Sequence, residues 1–182
     1  LVGSEMCIRD RIYEFTAKGH EVLNSIENSQ KTTIALTTGL ALGGGLELAL
    51  SCDYRIGTRR SQFRFPETSI GIYPGLGGTQ RTARICGLEC SRYAILAGNF
   101  LDSVTAYDLG LLTHNVDSSE VDSVVSSLIG TKPENKYAFH PVNDVSKVVD
   151  FSKKFYSDAN IGALLAGEIP SGFDSDDPMV SR

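Results

Sequence analysis

Between residues 12 and 29, Ile12, Phe15, Val22, Leu23 and Ile26 recur at helical spacing, with Glu14, Lys18, Glu21 and Glu27 off that stripe. The pattern predicts an amphipathic helix with one apolar face. Gly19 sits in its middle and weakens it by about 1 kcal/mol relative to Ala. Upstream, residues 1–10 show neither a clean period nor a cap and do not begin with Met, so a ragged or foreign end is expected there. Residues 32–38, Thr-Thr-Ile-Ala-Leu-Thr-Thr, are short and rich in β-branched side chains, and Gly39 closes them. That reads as a buried strand. A strand that delivers a glycine turn and then a helix is an α/β unit.

From Gly45 to about Cys52 the pattern is helical and almost wholly apolar, with Leu46, Leu48, Ala49 and Leu50 around a single carboxylate, Glu47. Asp53 to Gly57 predicts a short strand, and the alternation from Ser61 to Phe65 predicts another. Pro66 then opens a turn through Ser69. Gly71 to Gly78 is loop, Thr79 to Ile85 helix, and Gly87 ends that helix. Residues 89–97 predict a further helix with Cys90, Tyr93, Ala94 and Ala97 on one face. Asp102 or Ser103 caps a helix through Leu109, which Gly110 stops. Leu111 to Val116 reads as a strand. Ser118 or Ser119 caps a helix to Ile129 with Glu120 in its first turn. Pro133 and Pro141 mark 131–143 as a linker. Val145, Val148, Val149, Ser152 and Phe155 predict a helix over 144–157, and Ile161 to Ala166 one more turn. The tail from Gly167, with Pro170, Gly172, Asp174, Asp176, Asp177 and Pro178, is expected to be mobile. No internal sequence repeat is visible.

The 182 residues suffice for one domain with a real core. A formal net charge of -5 argues against a general nucleic-acid binder, which needs clustered Lys and Arg. Cys7, Cys52, Cys86 and Cys90 lack CxxC spacing and read as free thiols of a reducing compartment. No apolar run approaches the roughly 18–20 residues of a bilayer span. His20, His114 and His140 are scattered, so no metal site is expected.

The candidate chemistry lies in two glycine-rich runs and two carboxylates. Gly43-Gly44-Gly45 runs directly into the apolar helix that holds Glu47. Glu67 follows Pro66 and precedes Gly75-Leu76-Gly77-Gly78. A glutamate buried without partners costs several kcal/mol, and glycines at a helix start expose backbone N–H groups to an anion. Neither run has the spacing of a nucleotide loop: no GxxxxGK[ST] occurs, and no lysine follows Gly45. Together the glycine runs and the glutamates suggest two carboxyl groups facing a site where an oxyanion is held. In an apolar pocket the pair is expected to share one proton at neutral pH. Asp53 reads as structural, held by a local hydrogen bond. Arg81 and Arg84 read as ion-pairing or subunit-contact residues.

The segment Ala41-Leu42-Gly43-Gly44-Gly45-Leu46-Glu47-Leu48-Ala49 resembles the enoyl-CoA hydratase/isomerase (crotonase) family. So does Phe65-Pro66-Glu67-Thr68-Ser69-Ile70-Gly71, followed by Pro74-Gly75-Leu76-Gly77-Gly78-Thr79-Gln80-Arg81. Ala97-Gly98 and Ala106 to Leu112 look like further elements of it. The resemblance implies an α/β fold, a crotonase-like spiral of ββα units, incomplete at the N-terminus, with C-terminal helices. It divides the chain into a partial core over 11–130 and a C-terminal helical region with an acidic tail over 131–182. It also implies hydration of a trans-2-enoyl-CoA to a 3-hydroxyacyl-CoA in fatty-acid or related acyl-CoA metabolism; enoyl-CoA isomerase, another acyl-CoA reaction of the fold, or an inactive truncated homologue are the alternatives. By the resemblance, Glu47 activates the water, Glu67 supplies the α-proton and the Gly44 N–H holds the thioester oxygen. Gly43, Tyr73, Pro74 and Gly75 would line the substrate pocket. A second oxyanion donor is implied in an Ala-Gly-rich segment upstream of the first helix, which this sequence does not contain. No prosthetic group is implied; coenzyme A is part of the substrate. Implied partners are further copies in a homotrimer or dimer of trimers and, in some members, a fused 3-hydroxyacyl-CoA dehydrogenase, in the cytoplasm or mitochondrial matrix.

Overall fold

The structure is a computed structural model that describes residues 2–137 and 146–180, with only the backbone of residues 2–10. Cys7, His140, Pro141 and the start of the helix expected at 144 therefore lie outside the described side chains or residues.

Helix α1 runs Val2–Glu27, beginning upstream of the apolar period. Of the expected apolar face only Leu23 is buried, while Ile12, Phe15 and Val22 are exposed. The helix meets the body through its C-terminal half, so the upstream stripe has nothing to pack on among the described residues. At Gly19 it lies close against Leu76. A Cβ there would lie 2.5 Å from Leu76 Cδ2, so the residue that weakens the helix lets it dock.

Strands β1 (Ile34–Thr37) and β2 (Leu40–Leu42) follow, then α2 (Gly44–Ser51), β3 (Tyr54–Thr58) and β4 (Gln62–Arg64). A 3-10 turn at Glu67–Ile70 leads to α3 (Gly78–Cys86) and α4 (Leu88–Leu96). Next come β5 (Leu101–Asp102), α5 (Ser103–Asp108), β6 (His114–Val116) and α6 (Val121–Leu128). Helices α7 (Lys147–Phe155) and α8 (Ile161–Leu165) end the described chain.

The strands form two three-stranded sheets, ordered β1-β3-β6 and β2-β4-β5. β1 and β3 pair in parallel, Ile34 opposite Tyr54, and β2 and β4 pair in parallel, Leu40 opposite Gln62. Each strand pair therefore splits between the sheets before a helix begins. The unit β1-β2-α2 is repeated as β3-β4-turn-α3, a backbone repeat with no counterpart in the sequence. β2 was not expected, because its Leu-Ala-Leu adjoins the glycine triplet and is too short to show a period of two. β6 is shorter than expected at its start, because the Leu112 N–H donates to the Ala106 carbonyl and the Leu111 carbonyl accepts from Arg55 Nε instead of joining the ladder.

The core joins Leu46 and Leu50 of α2 to Phe63, Phe65, Ile85, Cys90, Leu101 and Leu109. Cys52, Cys86 and Cys90 are buried thiols. Asp102 caps α5 by accepting from the Thr105 N–H at 2.7 Å, as expected. At α6 the cap residue is Glu120, not Ser118 or Ser119, and its side chain makes no capping bond. Asp53 is structural, though not through the local bond expected: its Oδ2 accepts from the Thr33 N–H at 2.8 Å, from Thr33 Oγ1 at 2.9 Å and from Lys132 Nζ at 2.6 Å, partners far along the chain that the fold brings to it. Burial works against its charge, yet the bonds from Lys132 and Thr33 hold its carboxyl below the usual carboxylate range. The tail differs from expectation. Phe173, Met179 and Val180 pack on Phe151, Phe155 and Tyr156, with the Phe155 and Phe173 rings 4.8 Å apart. These three apolar residues of an otherwise acidic stretch find a cluster centred on α7 and Tyr156.

Candidate active site

The site is built on the start of α2. Gly43 precedes the helix with φ 49° and ψ −121°, a backbone that disfavours any side chain. Its N–H donates to the Arg64 carbonyl at 3.0 Å, which fastens the helix start to β4. Gly44 is the first helical residue and is exposed, and its N–H belongs to the first turn, where no intrahelical acceptor exists.

Glu47 lies one turn into α2 and is 2% exposed. Its Oε1 accepts two backbone N–H groups, from Leu76 at 2.7 Å and from Gly78 at 2.7 Å. Bonds from N–H groups to a carboxylate are charge-assisted, and the helix N-terminus favours the same negative charge. Together they offset the cost of burying the group in an otherwise apolar helix. Gly78 is required for this approach, since a Cβ there would lie 2.9 Å from Glu47 Oε1 and 2.8 Å from Pro74 Cβ.

Glu67 opens the 3-10 turn and reaches the other flank of the same helix start. Its Oε1 lies 2.7 Å from where a Cβ on Gly43 would stand. Its Oε2 is buried with no hydrogen-bond partner among the described residues. Burial pushes its carboxyl above the usual glutamate range, its own backbone N–H opposes this, and the negative charge of Glu47 adds to it. The two carboxylates are thus held differently, one by two donors and the other desolvated.

A pH dependence follows. Glu67 is raised in the folded state, so its contribution to stability is fully present below the ordinary glutamate pKa and is lost as pH rises through the raised value. Glu67→Gln, which stays neutral, should therefore gain stability over the parent as pH rises from the acid range to neutrality. Urea titrations of both proteins at acid and neutral pH check this; a stability difference independent of pH would contradict it.

Of the expected pocket residues, Gly43 and Pro74 are buried at the site, Pro74 against Gly78. Gly75 is exposed, and Tyr73 is 72% exposed, in one stretch with exposed Ile70 and Ile72. The structure thus gathers Glu47, Glu67, Gly43, Gly44 and Pro74 and leaves the Tyr73 side chain outside an enclosed pocket. The residues that sequence reasoning missed are the donors to Glu47. The run from Gly75 to Gly78 was visible, but its contact with residue 47 comes from folding. Arg81 makes an ion pair, with Nε 2.7 Å from Glu27 Oε2, and the Arg84 guanidinium lies 5.8 Å over the Tyr137 ring. Among the described residues no group of His, Cys, Asp and Glu could hold a metal ion, and no helix is long and apolar enough to cross a membrane.

The family model described as Enoyl-CoA hydratase/isomerase matches residues 4–176. The chain belongs to the enoyl-CoA hydratase/isomerase family. It is 38% identical over 117 residues to the crotonyl-CoA hydratase of Syntrophomonas wolfei, covering 64% of this chain and 45% of that protein. The crystal structure of enoyl-CoA hydratase from Thermoplasma volcanium superposes with a TM-score of 0.64 at 32% identity, over 68% of this chain and 50% of the other. A Thermobifida fusca protein in complex with acetoacetyl-CoA superposes with a TM-score of 0.62 at 28% identity, over 68% and 48% of the two chains. The fold is therefore that of the crotonases. The chain spans less than half the length of the curated relatives it matches.

Proposed function

We propose that this family member is an enoyl-CoA hydratase, adding water across the 2,3 double bond of a trans-2-enoyl-CoA. The observation that carries the reading is the unlike pair of carboxylates at one helix start: Glu47 with two N–H donors on one oxygen, Glu67 with a buried oxygen lacking any. Glu47 accepts a proton from a bound water as that water attacks C3. Glu67, whose carboxyl burial pushes above the usual glutamate range, delivers a proton to C2. The charge that builds on the thioester oxygen meets the Gly44 N–H and the positive end of α2, an oxyanion arrangement. The acyl-CoA class is supported by the acetoacetyl-CoA held by the Thermobifida fusca structure.

The test is turnover of crotonyl-CoA and a longer trans-2-enoyl-CoA by the purified protein, followed by loss of the conjugated enoyl-thioester absorbance and by identifying the product. A 3-hydroxyacyl-CoA is expected. Absence of turnover with both substrates defeats the reading, and a moved double bond without added water assigns isomerisation instead. The same reading carries a homotrimer or dimer of trimers, supported by exposed apolar side chains on α4 and α5 such as Leu88, Leu96 and Val104. Sedimentation equilibrium of the purified protein decides this, a monomer across micromolar concentrations being the contrary result.

A further inference from the structure

Arg81 is 4% exposed, on the first turns of α3, and its guanidinium makes three directed bonds. Nε donates to Glu27 Oε2 at 2.7 Å and Nη2 to Asn24 Oδ1 at 2.8 Å, both on the last turns of α1. Nη1 donates to the Leu76 carbonyl at 2.8 Å. Leu76 is the residue whose N–H donates to Glu47. One residue of the loop is therefore gripped from both sides, its N–H by the carboxylate and its C=O by the arginine. The next residue, Gly77, leaves the arginine room, since a Cβ there would lie 2.4 Å from Nη1. Gly78, the second donor to Glu47, follows immediately.

We propose that Arg81 is a positioning residue for Glu47: anchored on α1 by Glu27 and Asn24, it fixes the loop 75–78 so that two N–H groups converge on one carboxylate oxygen. The catalytic consequence rests on the reading of Glu47 given above; the positioning itself does not. An ammonium cannot replace the guanidinium, because only the planar fork reaches an acid, an amide oxygen and a carbonyl in three fixed directions. Without it the loop is free to drift, and the two N–H donors leave Glu47 Oε1.

The test uses Arg81→Lys, which keeps the charge beside Glu27. Its first readout needs no activity. The amide proton shifts of Leu76 and Gly78, which report their bonds to Glu47 Oε1, are compared between the parent and Arg81→Lys at one pH. Both are expected to move upfield together in Arg81→Lys, while the amides at the far end of α3 hold their positions. A folded Arg81→Lys protein with both shifts unchanged overturns the proposal, since a purely structural arginine would alter thermal stability alone. The second readout is hydration kinetics, where kcat is expected to fall about 10–100-fold with KM little changed. If the parent shows no hydration, the proposed function fails while the amide shifts still decide the positioning. Should Arg81→Lys not fold, Asn24→Ala removes one anchor at the exposed end of the network, and the same movement of the two amide shifts, or its absence, decides the question.

Discussion

Glu47→Gln and Glu67→Gln are each expected to lower the turnover of enoyl-CoA hydration by about 10²–10⁴-fold, the range for losing a positioned acid or base. Binding of the enoyl-CoA should change far less. The substitutions are nearly isosteric, so packing is retained. At residue 47 the amide oxygen can still accept from Leu76 and Gly78, the two donors that hold Oε1. What disappears is a group able to take a proton from water. At residue 67 a neutral side chain already suits the desolvated pocket, so Glu67→Gln removes a transferable proton with little structural cost. Steady-state kinetics joined to direct binding of an enoyl-CoA separates the two effects. Undiminished kcat in either protein removes that residue from the mechanism.

Gly43→Ala is expected to damage stability and turnover together. The backbone at Gly43, φ 49° and ψ −121°, is one that L side chains rarely adopt, and holding an alanine there costs about 1–3 kcal/mol. The new methyl would also stand 2.7 Å from Glu67 Oε1, so the carboxylate must move. A displacement of that order at a reacting group costs about 100-fold in rate. Gly44→Ala is the control for stability. A Cβ there meets Leu76 Cδ1 at 3.7 Å, an ordinary contact, and the residue is already helical. Thermal unfolding of both proteins, with kinetics of Gly43→Ala, checks the argument. Equal unfolding temperatures for the two, with full activity in Gly43→Ala, would show that Gly43 is replaceable.

The arginine network between α1 and α3 adds to this picture of the site. Glu27, Asn24, Arg81 and Leu76 connect the N-terminal helix to a carboxylate that none of the first three touches. Stability measured on α1 variants and chemistry measured at Glu47 should therefore be coupled, whereas substitutions in the aromatic cluster of α7 should affect stability alone.

Local pattern was enough for much of this protein. The helix after the glycine triplet, the strands at 34–37 and 54–58, the Asp102 cap and the paired motifs around Glu47 and Glu67 are all legible, because each depends on a period, a cap or a turn residue within a few positions. The glycine triplet and the two glutamates sufficed to bring the right family into view. Tertiary structure decided the rest. β2 and β5 exist because β4 offers them its two edges, and two or three residues carry no readable period. Phe173, Met179 and Val180 of the tail order because α7 presents Phe151 and Phe155 to them. The apolar stripe of α1 stays largely exposed, because a hydrophobic period states what a helix can bury and not whether a partner is there. Above all, the donors to Glu47 lie about thirty positions along the chain, at Leu76 and Gly78. A backbone N–H has no side-chain identity, so nothing in the residue letters marks which one will meet a buried carboxylate. That meeting is set by the stacking of one strand-strand-helix unit on the next.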